Sequence, residues 1–337
     1  MNSDLILLGH GSGGTLSHQL LEELLIPILS GEGPAVRNDA ALLDLAGERI
    51  AFTTDSYVVD PIFFPGGCIG DLAVNGTVND LAMMGAIPLW LSCGMIIEEG
   101  FSRKELADVA EAMRKAADRA GVKIVTGDTK VVPRGKADRL FINTSGIGVI
   151  RHDFRIDGTR AQPGDRIIVS GTIGDHGIAV LAGREGLDLE SSVQSDCAPL
   201  NSLVADLLAA GGDAVHVLRD PTRGGVATTI KEIALQSGVD VTLDEVSLPL
   251  TIGVKGVCAI LGLDPLYVAN EGKLLAFVAP ERAEELLATV RRHRLGREAA
   301  VIGEVTGCGA GKVRMRTSVG GLRGVEMLAG EQLPRIC

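Results

Sequence analysis

The chain has 337 residues, 46% of them hydrophobic and 22% charged, with a mean hydropathy of +0.26. That composition supplies core for about two ordinary domains and excludes intrinsic disorder. Its formal charge is −11 with no block of Lys and Arg to interrupt it, which argues against nucleic acid or an anionic membrane as partner. The longest apolar run, Gly85–Ile97, is too short for a membrane span and carries Pro88. The N-terminus lacks the basic flank and cleavage site of a secretory signal, so the expectation is a soluble, cytoplasmic protein.

In chain order, Leu5–Leu8 reads as a short strand, followed by a Gly-rich turn and an amphipathic helix to about Leu25. Ala40–Leu45 and Ile50–Thr54 alternate around a turn, which predicts a hairpin. Residues 70–84 read as a helix, and a second opens at Ser102 with Glu105 in capping-box position and ends at Gly121. A strand over Val122–Thr126, a loop bearing Asp128 and Lys130, and a strand over Leu140–Ile150 close the first half. The polar stretch Arg151–Gly164 marks a boundary. Beyond it the spacing predicts strands near 166–170, 215–218, 240–244, 267–278, 300–306 and 312–317. Helices are predicted near 176–186, 200–210, 223–236 and 281–292. Hairpins mixed with helices favour α+β over a doubly wound sheet. Ser318–Cys337, rich in Gly, reads as a mobile tail.

Glycine numbers 44, about twice the usual share, while aromatics are 3%. Such a chain suits tight backbone turns around a small charged ligand better than base stacking. Gly9, Gly11 and Gly14 satisfy the dinucleotide fingerprint, but a hairpin follows where a parallel strand should, so a Rossmann site is disfavoured. Gly311-Lys312 fails as a P-loop. The six cysteines form no C-x-x-C pair, and five read as small hydrophobes of a reducing compartment.

The acidic residues of the first half carry more. Asp39, Asp55, Asp80 and Asp128 sit among apolar, Gly and small hydroxyl neighbours rather than among other charges. Carboxylates in such surroundings need a cation, and hard oxygen ligands point to magnesium, which usually arrives with phosphates. N-caps and turns explain one or two of them, but not Asp80 inside a helix. Asp71, Asn75 and Asn79 form one stripe of short polar groups on that helix, suited to a polar site rather than bulk water. Lys130 stands two residues from Asp128 and offers an ammonium to phosphate, although a lone Lys is most often a solvated charge. Arg219-Asp220-Pro221-Thr222-Arg223-Gly224-Gly225 runs into a helix and makes an anion site from backbone donors with arginines nearby. Asn270-Glu271-Gly272-Lys273 interrupts an apolar pair and reads, on pattern alone, as a hairpin turn. The final Cys337 is not in a prenylation box. Its neighbouring carboxylate, partly offset by Arg335, disfavours the thiolate, so it suits a carrier of a covalent group on a Gly-rich tether more than a self-activated nucleophile, although taken alone its position reads as accident.

These segments together resemble the HypE family of hydrogenase maturation proteins, within the superfamily of aminoimidazole ribonucleotide synthetase and selenophosphate synthetase. The resemblance runs the length of the chain: HGSGG at 10–14, TTDSYVVDPIFFPGGCIGDLAVNGTVNDLAMMGA at 53–86, VTGDTKVV at 125–132, GDHG at 174–177, RDPTRGG at 219–225, ANEGK at 269–273 and the terminal PRIC. It implies a two-domain PurM-like α+β fold. Residues 1–155 form an ATP- and magnesium-binding domain that builds a β-barrel with a second copy. Residues 156–317 form an α+β domain, and 318–337 a mobile tail ending in Cys337. The implied activity is ATP-dependent dehydration of a carbamoyl group on Cys337 to a thiocyanate, the source of cyanide for [NiFe]-hydrogenase iron. HypF would load the carbamoyl group, and a HypC–HypD complex would take the nitrile. The resemblance implies magnesium on Asp39, Asp55, Asp80 and Asp128, with nucleotide held by these, Asn79, Lys130, Asp220, Thr222, Arg223 and Gly224. Lys130 would steady the transferring phosphoryl group and Glu271 would take the nitrogen proton. A small-molecule kinase or synthetase of the same fold, indifferent to Cys337, is the alternative enzyme; a non-catalytic scaffold docking through its tail is the alternative of another class.

Overall fold

A computed structural model describes residues 6, 10, 14–26, 28, 38–184, 192–328, 330, 333 and 335–337. The predicted strand at Leu5–Leu8 and most of the Gly-rich turn after it lie outside these residues. Helix α1 runs over Thr15–Leu20 and continues as a π-turn to Leu25.

The first sheet holds β1 (Ala41–Leu45), β2 (Glu48–Tyr57), β5 (Ile87–Glu98), β6 (Lys123–Val132) and β7 (Leu140–Ile150) in the order β1-β2-β7-β5-β6. Every pairing is antiparallel except β5 with β6. The hairpin β1–β2 forms as its alternation predicts. Strand β5 is the central surprise: its continuous apolar run gives no period, so the sequence shows a hydrophobic stretch but not its conformation. Strand β6 runs on through Asp128 and Lys130, which therefore stand on a strand rather than on a loop.

Helices α2 (Ile69–Met83) and α3 (Arg103–Ala120) cover one face of this sheet. Ser102 caps α3, its side chain accepting from the Glu105 N–H, and Gly121 ends it at φ +72°, a conformation glycine adopts without cost. Helix α2 is buried nearly all round, Asn75, Thr77 and Asn79 included. A short hairpin, β3 (Phe63–Phe64) with β4 (Gly67–Cys68), leads into it.

The second sheet has the order β14-β13-β10-β12-β8-β11-β9. Its strands are β8 (Arg166–Val169), β9 (Val215–Arg219), β10 (Val239–Asp244), β11 (Leu275–Val278), β12 (Ala300–Cys308), β13 (Val313–Arg316) and β14 (Leu322–Val325). One face packs against α6 (Gly225–Ser237), the other against α5 (Asn201–Gly211) and α8 (Ala283–Arg292). Helix α4 (Asp175–Ala182) and α7 (Ile252–Leu261), which has no counterpart among the predicted elements, form a smaller cluster. The strand expected over 267–278 is confined to β11, because residues 268–274 turn aside to hydrogen-bond with other segments. Within the segment expected to be a mobile tail from Ser318, Leu322–Val325 form β14, paired to β13, and Ile336 is buried in the core of the first domain. No helix among the described residues is long and apolar enough to cross a membrane.

Candidate active site

Between the two sheets lies a polar cavity of about 250 Å³. Asp39 enters it before β1, Asp55 from β2, Asp80 from α2, and Asp220 from the turn after β9. The Thr53 hydroxyl lies 2.8 Å from Asp80 Oδ2 and 3.0 Å from the Asp39 carbonyl, tying hairpin, strand and helix together. Arg219 Nε meets Asp39 Oδ1 at 2.5 Å, and its Nη2 meets Glu232 Oε2 at 3.1 Å. Glu232 in turn pairs with His18 of α1 at 2.7 Å.

The carboxylates are held against their own chemistry. Burial pushes Asp39 up to about 8 despite the Arg219 guanidinium, with Asp220 and Glu232 adding repulsion. Burial, then Asp220, Asp55 and Asp39, push Asp80 well above the carboxylate range. Burial likewise pushes Asp220 up to about 6 against Arg219. For Glu232, His18 and Arg219 outweigh burial and hold the carboxyl below its ordinary value.

Magnesium with a nucleotide fits this donor set. Asp39 Oδ2 is buried without a hydrogen-bond partner, and its neighbours are hard oxygens that repel one another. The protein groups by themselves do not form a metal centre: no group of His, Cys, Asp and Glu among the described residues could hold an ion unaided. Phosphate oxygens would complete the shell.

The RDPTRGG turn winds tightly into the next helix, the Gly225 N–H donating to the Thr222 carbonyl at 3.0 Å. Gly224 sits at φ +78° and Gly225 at +62°, and a Cβ on either would strike Thr228 Oγ1 at 2.4 Å or the Leu266 carbonyl at 2.5 Å. Helix α6 starts there with no side-chain cap, its first N–H groups beside Thr222 and Arg223.

A second group adjoins the cavity. Glu271 is 4% exposed and its Oε1 has no hydrogen-bond partner. Its N–H donates to Asp196 Oδ1 at 3.0 Å and its C=O accepts from Asn79 Nδ2 at 3.2 Å. Burial pushes its carboxyl well up, Asp220, Asp55 and Asp196 add to the rise, and Arg223 opposes it. Cys337 belongs to the same group. Burial pushes its thiol up to about 12, Arg223 pulls it down, and Glu271, Asp55 and Asp220 raise it. Cys337 is half-buried and packed against the core of the first domain, where its thiol feels the charges of Arg223 and Glu271.

The structure therefore brings together Asp39, Asp55, Asp80, Asp220, Thr222, Arg223, Gly224, Glu271 and Cys337. Asn79 does something else: its amide accepts from the Leu200 N–H at 2.8 Å and donates toward the Ala198 and Glu271 carbonyls. Asn75 and Asn79 of the polar stripe on α2 face the segment 195–200 of the second domain, Asn75 contacting Cys197, whereas Asp71 pairs with Arg119 of α3 at a partly exposed position. Asp128 and Lys130 are apart from the cavity within one chain. They pair with each other at 3.2 Å, more than 70% exposed, on the edge strand β6. Strands β7 and β5 separate β6 from β2, a span of about 14 Å at ordinary strand spacing. Arg219, Glu232 and Thr53 are the residues with no separate prediction; Arg219 and Thr53 lie inside quoted motifs, whereas Glu232 looks like any helix surface residue.

An α+β fold of two such domains meeting over clustered carboxylates and an anion-binding helix start defines a class of nucleotide-dependent enzymes. Residues 37–150 match the family "AIR synthase related protein, N-terminal domain", and residues 162–316 match "AIR synthase related protein, C-terminal domain". Within that class the chain belongs to the HypE family. It is 52% identical to carbamoyl dehydratase HypE of Cupriavidus necator over 100% of this chain and 96% of that one. It is 47% identical to that of Escherichia coli over 98% and 99%. Among solved structures it resembles hydrogenase maturation protein HypE in complex with ATP (TM-score 0.82, 51% identity, 99% of this chain and 100% of that one). It also resembles HypE from a HypE–HypF complex (TM-score 0.86, 47% identity, 92% and 99%).

Proposed function

We propose that this chain uses ATP to dehydrate a carbamoyl group carried on the sulfur of its own Cys337, leaving a thiocyanate. The observation that carries this is the seating of Cys337, half-buried, with its carbonyl accepting from the Val58 N–H at 3.1 Å and its thiol under the charges of Arg223 and Glu271. The names of its HypE relatives and the ATP complex of one of them support it. The net change is S–C(=O)–NH2 plus ATP to S–C≡N, ADP and phosphate: the amide oxygen leaves on phosphorus and both nitrogen protons are lost. Magnesium-ATP, when bound, supplies the phosphoryl group that turns a poor leaving oxygen into a good one.

The chain's own residues then have separate tasks. Asp39, Asp55 and Asp80 bind the metal. Asp220 adds a carboxylate on the metal side of the nucleotide, while Thr222, Arg223 and N–H groups at the start of α6 bind its phosphates. Arg223 offers positive charge where the amide oxygen becomes anionic. Glu271 accepts a nitrogen proton; its raised value makes its carboxylate a stronger base than an exposed glutamate. Asp128 and Lys130 serve the site from a second copy, in a homodimer joined at the open edge and bare face of the first sheet. That reading is supported by Val131, 68% exposed on the edge strand, and Trp90, 49% exposed. HypF would load the thiol, as the HypE–HypF complex of the relative suggests, and HypC–HypD would receive the nitrile.

The test is mass spectrometry of the C-terminal peptide after incubation with the loading partner and its substrates. Without ATP in the second stage, Cys337 should carry a carbamoyl group; with magnesium-ATP that adduct should lose one water. A bare Cys337 on a protein that still consumes ATP would favour the small-molecule kinase reading.

A further inference from the structure

The segment that carries Glu271 is tied down residue by residue. Asn270, fully buried, donates from Nδ2 to the Pro221 and Val268 carbonyls at 2.9 and 3.2 Å and accepts at Oδ1 from the Gly174 N–H at 2.7 Å. The Glu271 N–H donates to Asp196 Oδ1 at 3.0 Å, while its C=O accepts from Asn79 Nδ2 of the first domain. Gly272 lies so close to the chain at Asp196 that a Cβ on it would stand 1.9 Å from that residue's carbonyl oxygen. Lys273 Nζ lies 3.0 Å from Asp196 Oδ2, the two side chains only 11% and 4% exposed. The Asp196 carboxylate therefore grips the segment twice, at the backbone of Glu271 and at the ammonium of Lys273. Its own stretch of chain is fixed in turn, the Ser195 N–H donating to the Pro65 carbonyl at 2.8 Å and the Cys197 N–H to Ser195 Oγ at 3.1 Å.

Stability alone does not account for this clamp. A buried ion pair contributes little over apolar packing of the same volume. Here Asp196 Oδ2 meets the Lys273 ammonium outside hydrogen-bond geometry and has no hydrogen-bond partner. What the pair does achieve is placement. With its N–H and C=O both engaged, the backbone of Glu271 is fixed, and the free part of the residue is its side chain, whose buried Oε1 has no partner. A carboxylate oxygen left unpaired and held still is ready to accept from a bound group.

We propose that Asp196, braced by Lys273, is a positioning residue that fixes the backbone of Glu271 and so keeps its free carboxylate oxygen in place for the nitrogen proton. The proposal rests on reading Glu271 as the base, and its test separates the two. Either single change at the pair would strand a buried charge, so two charge-balanced variants of the full-length protein are compared. Asp196→Asn with Lys273→Gln removes both charges and keeps an acceptor for the Glu271 N–H. Asp196→Ala with Lys273→Gln removes the acceptor as well. In both, Asn270 keeps its own bonds to Pro221 of the RDPTRGG turn, so ATP affinity should match wild type.

Hydrogen exchange of the Glu271 amide, followed in the ligand-free protein, should be about fivefold or more faster in the alanine variant than in the asparagine variant, the effect of losing an ordinary hydrogen bond. Single-turnover dehydration of carbamoyl-loaded protein should be about tenfold slower in the alanine variant. The asparagine variant should stay within about threefold of wild type, the difference being the negative charge that Asp196 adds beside Glu271. If the alanine variant fails to fold, Asp196→Ser in the same background, too short to reach the Glu271 N–H, takes its place. Equal exchange in the two variants overturns the clamp. Faster exchange with equal dehydration overturns the positioning role, and so does a loss of ATP affinity that matches the loss of rate. If Glu271→Gln dehydrates as fast as wild type, Glu271 is not the base, and the exchange ratio alone decides whether Asp196 holds it.

Discussion

The carboxylate cavity and the tail seat lie side by side and are built on opposite principles. The cavity gathers Asp39, Asp80 and Asp220 where burial and mutual repulsion raise all three, and it leaves Asp39 Oδ2 unpaired. The seat of the last three residues satisfies its groups: the Cys337 carbonyl accepts from the Val58 N–H, the Arg335 carbonyl from the Asp60 N–H and the Ile336 carbonyl from His176 Nε2. A site under charge strain gains from a ligand that supplies positive charge, whereas a satisfied one must be opened at a cost. The difference suggests a division of labour in which the cavity captures and the tail delivers.

The severest way to break the comparison is Asp80→Asn. It keeps an acceptor for the Thr53 hydroxyl but removes a buried charge, so thermal stability of the ligand-free protein should rise while magnesium-dependent ATP binding falls by about two orders of magnitude. Calorimetric titration together with thermal melts checks both signs. Unchanged binding would remove Asp80 from the metal site.

The position of Lys130 is tested by mixing chains. Lys130→Ala and Cys337→Ser should each be inactive alone. If Lys130 serves the cysteine of the other copy, a random mixture regains about a quarter of wild-type dehydration, because half the dimers carry one intact site of two. No recovery would confine Lys130 to its own chain and leave it without a route to the cavity.

The strain in the first region depends on a second-domain residue held by an amide of the first. Asn79→Ala strips partners from the Leu200 N–H and the Ala198 and Glu271 carbonyls, at a cost of about 2 to 4 kcal/mol. Dehydration should slow by about tenfold as Glu271 loses its placement, with ATP affinity nearly unchanged. A matching loss of affinity would return Asn79 to the nucleotide site that its sequence context implies.

Asn79 shows what sequence can and cannot say here. Its stripe with Asp71 and Asn75 announces buried polar groups, and the structure buries Asn75 and Asn79, but the partner surface comes from residues about 120 positions away, which no local pattern encodes. Helix α3 was legible because its cap, period and terminal Gly121 are local signals. Strand β5 was not, since an unbroken apolar run has no period to read. Asp39, Asp55 and Asp80 could be picked out by their apolar and small-residue surroundings, and the cavity gathers them. Asp128 shares those surroundings in sequence, yet the same reasoning could not see that β6 is an edge strand. The anchoring of the tail was hidden because it consists mainly of backbone carbonyls, which every residue has.

The mildest test turns on pH and asks whether the cavity is strained before any ligand arrives. Asp39 and Asp220 are raised by burial to about 8 and about 6, from 3.8 in an unfolded chain. The folded state therefore binds more protons than the unfolded state between those limits, and stability falls as pH rises. The contribution is fully present below about pH 4, fades for Asp220 through about 6 and is lost for Asp39 through about 8. Thermal midpoints measured in chelator should decline between pH 6 and 9, and Asp39→Asn should flatten the decline, since its side-chain oxygen still accepts from Arg219 but no longer ionises. Magnesium with ATP should flatten it in the wild-type protein by supplying the charge the carboxylates lack. A wild-type midpoint that climbs with pH across this window would mean that Arg219 keeps Asp39 ionised throughout. The cavity would then be as satisfied at rest as the tail seat beside it, and the contrast between capture and delivery would have to be sought in the ligands instead.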